Sequence, residues 1–110
     1  MVRSKSEMMI DSSLYIHKIP FRYEDTLALD DIILYPDFTI RHPKTGEYFY
    51  WEHFGLMDDP VYCKNTFSKL QLYTTNNIVP DINLITTYET RERPLSMEKI
   101  ERIITEYFAE

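Results

Sequence analysis

The sequence predicts one α/β domain in which a mixed β-sheet is flanked by helices. The chain has 110 residues, a length typical of a single domain. Helical and strand-like segments follow one another in the order α, β, β, β, α, β, α, which predicts helices packed on a mixed sheet. Hydrophobic residues make up 44% of the chain and aromatic residues 15%. This composition excludes a disordered chain and supplies bulky side chains for a core.

Three helices are predicted from capping signals and from amphipathic spacing. Ser and Glu three residues apart form a capping box at the first helix, and Asp followed by Pro starts the second. The last helix has an apolar stripe at helical spacing. The predicted helices start at Ser4, Asp59-Pro60 and Ser96, and the first two end near Ile16 and Thr75. Strands are predicted over Phe21–Tyr23, Ile32–Ile40, Glu47–Phe54 and Asp81–Thr87.

The second and third predicted strands form a hairpin that sets two carboxylates side by side. The turn Pro43–Gly46 has a midpoint between Lys44 and Thr45, so a symmetric loop pairs residues whose numbers sum to about 89. Asp37 and Glu52 satisfy that sum, and their Cβ atoms would then lie about 5 Å apart. A loop of odd length would slip the register and separate the two carboxylates. Pro36 suggests an edge or a bulge at this point of the first strand.

Two like charges directly opposite each other destabilise a sheet. A divalent cation between Asp37 and Glu52 would turn this repulsion into coordination by oxygen ligands. The alternatives are that both carboxylates point to solvent, or that one of them pairs with Arg22 or Arg41. The wider charge pattern leaves the same choice open, because residues 21–60 carry nine acidic and three basic side chains, which form either a solvated face or a cation site.

Composition and charge also exclude several classes of protein. The single cysteine excludes an internal disulfide framework and predicts a reducing, cytoplasmic location. No apolar run approaches about 18 residues, so the sequence predicts no membrane-spanning helix. The net charge of −6 argues against tight binding to nucleic acid unless a cation offsets it, because such binding rests on Lys and Arg. The size of the chain is compatible with a homodimer.

The motifs along the chain resemble the PD-(D/E)XK nuclease superfamily, in an uncharacterised bacterial branch. The motifs are Arg3-Ser4-Lys5-Ser6-Glu7, Pro36-Asp37-Phe38-Thr39, Tyr50-Trp51-Glu52-His53-Phe54-Gly55 and Lys69 with Tyr73. They span nearly the whole chain in the order of the family's core. The resemblance implies a restriction-endonuclease-like αβββαβ(α) fold. It also implies that residues 1–110 form a single nuclease-like domain, which we expect to be the C-terminal catalytic core of a longer protein.

The resemblance implies a magnesium-dependent nuclease and assigns roles to individual residues. Asp37 and Glu52 would bind Mg²⁺ or Mn²⁺, with His53 as a further ligand through its backbone carbonyl. Glu7 would complete the site. Such a cation polarises a phosphodiester and lowers the pKa of the attacking water. The implied partner is nucleic acid, and DNA is the expected form.

The sequence departs from the family at the position two residues after the metal-binding Glu. The family has Lys there, and this chain has Phe54. Lys69 on the following helix is the candidate replacement, with Tyr73 positioning Lys69 or a phosphate. His53 is the other candidate for contact with substrate, although on a regular strand its side chain points away from Glu52. Two rival hypotheses stay open: a catalytically inactive nuclease-fold module that binds nucleic acid or a protein partner, and an ordinary α/β domain with incidental carboxylates.

Overall fold

The computed structural model describes residues 3–109, which contain three helices and two separate sheets. The helices are α1 (Lys5–Ile16), α2 (Pro60–Thr75) and α3 (Met97–Phe108). The strands are β1 (Phe21–Tyr23), β2 (Leu27–Leu29), β3 (Ile32–Leu34), β4 (Phe38–Arg41), β5 (Tyr48–Phe54) and β6 (Leu84–Tyr88). The chain is therefore a mixed α/β protein, as the sequence predicted.

The main sheet has four strands in the order β1-β4-β5-β6. β1 and β5 run antiparallel to β4, and β6 runs parallel to β5. A parallel neighbour requires a crossover connection, and α2 lies in the connection from β5 to β6. β2 and β3 form a separate antiparallel hairpin. Without that hairpin, the element order along the chain is the predicted α, β, β, β, α, β, α.

The predicted helix starts are confirmed by the caps. Ser4 and Glu7 form a complete capping box at α1, and the Asp59 side chain accepts hydrogen bonds from the first backbone N–H groups of α2. The Ser96 side chain accepts from the N–H of Lys99 at α3. Within residues 3–109, no helix is both long and apolar enough to cross a lipid bilayer.

The two faces of the sheet carry different packing clusters. On one face, Trp51 of β5 packs in the larger cluster with residues of α1 and α3, including Ile10, Leu14 and Ile100. On the other face, a smaller cluster is built around Tyr73 of α2, and the β2–β3 hairpin packs against it. Because successive strand residues alternate between faces, the residue after Trp51 faces α2. This residue is Glu52, so the fold points its carboxylate toward Tyr73.

The predicted register of the hairpin is confirmed. Phe38 pairs with Trp51 and Thr39 pairs with Tyr50 across β4 and β5, and the residue numbers of both pairs sum to 89. Extending the ladder by one residue places Asp37 beside Glu52. Asp37 directly precedes β4, so its carboxylate lies next to that of Glu52 at the end of the ladder, on the same face of the sheet.

Two strand predictions were wrong in their extent. The predicted strand Ile32–Ile40 is interrupted at residues 35–37, so β3 and β4 belong to different sheets. Pro36 at the interruption has no N–H to donate to a strand neighbour, and its side chain is fully buried. The predicted strand Asp81–Thr87 begins only at Leu84. Asp81 has a left-handed φ of 71°, which places it in the turn before the strand.

Candidate active site

The carboxylates of Asp37 and Glu52 form the centre of the site. Glu52 is 1% exposed, and Asp37 is half-buried at the start of β4. The Asp37 Oδ2 atom accepts a hydrogen bond of 2.7 Å from the backbone N–H of His53. A buried carboxylate is stabilised by such donors but still loses the hydration that it has in water.

Burial and mutual repulsion keep a proton on this pair. Burial, with the nearby charge of Glu52, raises the pKa of Asp37 to about 8, against the opposing effect of the His53 N–H. Burial also raises the pKa of Glu52, although Lys69 and Tyr73 oppose the shift. The negative charge at the site is therefore not fully compensated by the protein. Because a bound cation competes with protons for carboxylate oxygens, the pair has the electrostatics of a cation site.

Helix α2 supplies a lysine and a tyrosine to Glu52. The Lys69 Nζ atom lies 3.0 Å from Oε1 and 2.9 Å from Oε2 of Glu52. The Tyr73 hydroxyl donates a hydrogen bond of 2.5 Å to Oε2. The two residues are four apart and share one helix face. A lysine from α2 thus reaches the carboxylates, while Phe54 packs against Tyr88 with ring centroids 5.4 Å apart.

Glu7 reaches the site from the first turn of α1. Its Oε1 atom accepts hydrogen bonds of 3.0 Å from the Tyr23 hydroxyl and 3.1 Å from the Ser4 N–H. Glu7 therefore completes a capping box and also lines the pocket over the carboxylates. We call this the carboxylate pocket; it has a volume of about 290 Å³ and is lined by Glu7, Asp37, Glu52, His53, Phe54, Tyr62, Asn65, Thr66 and Lys69.

The His53 ring is held by β6 and by the loop after it. Its Nδ1 atom lies 2.8 Å from the Thr87 hydroxyl, and its Nε2 atom lies 2.7 Å from Glu89 Oε1. Ionised Glu89 can only accept, so Nε2 donates to it, and Nδ1 pairs with the Thr87 hydroxyl. Ser6 also donates to Glu89, at 2.6 Å. The ring therefore ties β5 to α1, and His53 reaches Asp37 through its backbone N–H.

The structure brings together the six residues singled out from the sequence. Glu7, Asp37, Glu52, His53 and Lys69 line the carboxylate pocket, and Tyr73 contacts Glu52. Tyr62 and Thr66 of α2 also line the pocket, and the sequence assigned them no role there. Glu89 was not predicted as a site residue, because no local pattern connects it with Ser6, which is 83 positions away.

The donors present suit a hard cation. Among residues 3–109, no group of three or more His, Cys, Asp and Glu side chains is arranged to hold a metal ion. Two adjacent carboxylates with raised pKa values supply the oxygen ligands that Mg²⁺ prefers, and Mg²⁺ typically keeps several waters as its other ligands. The residues thus fit a magnesium ion bound through one or two carboxylates.

The raised pKa of Asp37 predicts a measurable pH dependence of stability. An unfolded Asp loses its proton near pH 4, and the folded Asp37 keeps it to about pH 8, so the folded state holds the extra proton between these values. In metal-free buffer, the free energy of unfolding should fall as the pH rises through this window, by at most about 1.4 kcal/mol per pH unit for one proton. Urea denaturation at several pH values would measure the slope.

Asp37→Asn should flatten that slope, because an amide has no proton to lose. Asp31→Asn, at an exposed position, is the matched control and should keep the wild-type slope. Parallel stability curves for the wild type and Asp37→Asn would show that the Asp37 carboxyl is not held protonated in the fold.

Comparisons with known proteins add no assignment to this geometry. No family model, no curated protein and no solved structure matches the chain.

Proposed function

We propose that this chain is a Mg²⁺-dependent nuclease-like domain that hydrolyses phosphodiester bonds of nucleic acid. The observation that carries the proposal is the pair of adjacent carboxylates, Asp37 just before β4 and Glu52 on β5, with Lys69 from α2 at 3.0 Å from Glu52. A buried pair of carboxylates with a lysine beside it has little value for stability alone. Perturbed carboxylates in a cleft are instead typical of functional sites.

The arrangement of helices and strands also supports the proposal. We infer that the four-stranded sheet with α1 and α2 is a restriction-endonuclease-like core, because Asp37, Glu52 and Glu7 come from the elements that carry the family's acidic residues. This inference depends on the resemblance in the motifs together with the observed element order.

Asp37 and Glu52 would hold the cation, with the backbone carbonyl of His53 as a further oxygen ligand. When bound, Mg²⁺ or Mn²⁺ would polarise the phosphodiester and lower the pKa of a water molecule. Glu7 lines the same carboxylate pocket, where its carboxylate would orient that water. The His53 ring contributes by fixing the backbone that contacts Asp37, because both of its nitrogens are already engaged.

Lys69 would replace the family's lysine, whose position Phe54 occupies in this chain. Its side chain is 34% exposed, so the ammonium group can contact Glu52 and a substrate in the pocket at the same time. A fixed cation that faces the developing charge on a phosphate stabilises the transition state. The Tyr73 hydroxyl holds the other side of Glu52 and keeps its carboxylate in place.

The second candidate function is a catalytically inactive module of the same fold that binds nucleic acid or a protein partner. The contact of Lys69 with both oxygens of Glu52 favours it, because this ion pair partly neutralises the site without any metal. In that case the carboxylates would be remnants of an active centre.

A cleavage assay distinguishes the two candidates. The protein is incubated with single-stranded and duplex DNA and with RNA, in Mg²⁺, in Mn²⁺ and in a chelator. The nuclease proposal predicts cleavage of at least one substrate, dependent on the cation, and DNA is the substrate that we expect. Absence of cleavage in every combination, with binding retained, would favour the inactive module.

A further inference from the structure

Tyr62 lies at the boundary between two pockets. Its side chain lines the carboxylate pocket and also a neighbouring pocket of about 380 Å³. We call the neighbour the α1 pocket; it is lined by Ser4, Lys5, Ser6, Glu7, His53, Gly55, Leu56, Tyr62 and Glu89. Because Glu7, His53 and Tyr62 line both spaces, the two pockets are adjacent. We call them together the cleft, which includes the carboxylates and the start of α1.

Tyr62 differs from the other two tyrosines at the site in its hydrogen bonding. The Tyr23 hydroxyl donates to Glu7 and the Tyr73 hydroxyl donates to Glu52. The Tyr62 hydroxyl instead accepts a hydrogen bond of 3.1 Å from the backbone N–H of Gly55. A phenol has one donor hydrogen in addition to its acceptor capacity, and no residue between 3 and 109 accepts the hydrogen of Tyr62.

The Tyr62 hydroxyl can therefore donate a hydrogen bond to a phosphate oxygen in the cleft. Glu7 and Glu89 line the α1 pocket, and carboxylates can only accept hydrogen bonds when ionised. Lys5 also lines this pocket and supplies positive charge. A tyrosine keeps its proton at neutral pH, and burial raises the pKa of Tyr62 further.

We propose that Tyr62 is a substrate-binding residue that donates a hydrogen bond to a non-bridging oxygen of one phosphate, where the bound strand crosses from the carboxylate pocket into the α1 pocket. The ligand class is thus a phosphodiester chain longer than a single nucleotide. This inference rests on the proposed function, because it assumes that a nucleic-acid strand occupies the cleft.

The test combines a protein variant with a modified substrate. A short fluorescent DNA strand is bound in Ca²⁺, which offers an oxygen-seeking cation, and affinity is read by fluorescence anisotropy. Single methylphosphonates replace one phosphate at a time along the strand. We expect wild-type affinity to fall about tenfold or more at one position, as for a lost hydrogen bond to a charged group. Tyr62→Phe should bind the unmodified strand with a similar loss and be insensitive at that same position.

Tyr15→Phe is the matched control, because Tyr15 is 77% exposed and lines neither pocket of the cleft; it should behave as the wild type. Additive losses from Tyr62→Phe and the methylphosphonate at every position would mean that Tyr62 and each phosphate contribute to binding independently. Tyr62 would then act only through its hydrogen bond with Gly55, and the inference would be wrong. The wild-type scan is a second check that needs no variant, since equal affinity at every position would also overturn the inference.

Cleavage measured in parallel separates this inference from the proposed function. Binding that depends on Tyr62 without any cleavage in Mg²⁺ or Mn²⁺ would support the inference and contradict hydrolysis. Cleavage with no role for Tyr62 in binding would support hydrolysis and contradict the inference. No binding of DNA or RNA by the wild type would overturn both.

Discussion

Asp37→Asn should abolish cation-dependent cleavage of nucleic acid. The amide keeps the shape of the side chain and can still accept the hydrogen bond from the His53 N–H, so the fold should be retained. The change removes the negative charge that would hold the cation under the proposed function. Since a catalytic metal contributes several kcal/mol of transition-state stabilisation, turnover should fall by about a thousandfold or more. Initial rates at saturating substrate and Mg²⁺ would measure the loss.

The control for this variant is Asp31→Asn, which removes one negative charge at an exposed position and should cleave at the wild-type rate. Circular dichroism spectra of both variants would check that the fold is intact. Cleavage by Asp37→Asn within a few-fold of the wild type would exclude Asp37 as a ligand of the catalytic cation.

Lys69→Met should lower turnover by about 10²–10³-fold, the usual effect of removing one preorganised group that stabilises transition-state charge. Methionine keeps an unbranched side chain of similar length and removes only the ammonium group, which lies within 3.0 Å of Glu52. Because the role proposed for the lysine is to stabilise charge that develops during the reaction, kcat should fall more than KM rises. Steady-state kinetics on the DNA substrate would separate the two constants.

Lys64→Met is the matched control, on an exposed position of the same helix, and should have little effect on kcat. An unchanged kcat for Lys69→Met would show that Lys69 is only a counterion of Glu52. In that case the variant would shift the pH dependence of the rate, because Glu52 would gain protons more readily, and its maximal rate would equal that of the wild type.

Local signals in the sequence predicted the parts of the site that lie within single elements or one hairpin. The symmetric turn fixed which residues of β4 and β5 are opposite each other, and so it placed Asp37 beside Glu52. The spacing of four between Lys69 and Tyr73 placed both on one face of α2. Capping chemistry located the start of α1 and therefore Glu7.

Contacts between distant segments could not be predicted in this way. The hydrogen bonds that join Glu89 to Ser6 and to His53 depend on how β6 and α1 dock, and no spacing rule covers them. The β2–β3 hairpin was also missed, because no strand was predicted over Leu27–Leu29 and the prediction joined Ile32–Leu34 to β4 in one strand. The interruption at Pro36 could not be predicted either, because it depends on which strands pair with β3 and with β4.

The most direct test of the account is cation binding by the paired carboxylates. Thermal unfolding is followed with increasing Mg²⁺ or Mn²⁺ for the wild type, Asp37→Asn, Glu52→Gln and Glu47→Gln, the last an exposed control on the same hairpin. A cation at about 100 times its Kd stabilises the folded state by about 2.7 kcal/mol, which for a domain of this size is a rise of about 10 °C in Tm.

The wild type and Glu47→Gln should show this rise, and Asp37→Asn and Glu52→Gln should not. An unchanged wild-type Tm at millimolar cation, or an equal rise in all four proteins, would contradict the cation site at Asp37 and Glu52.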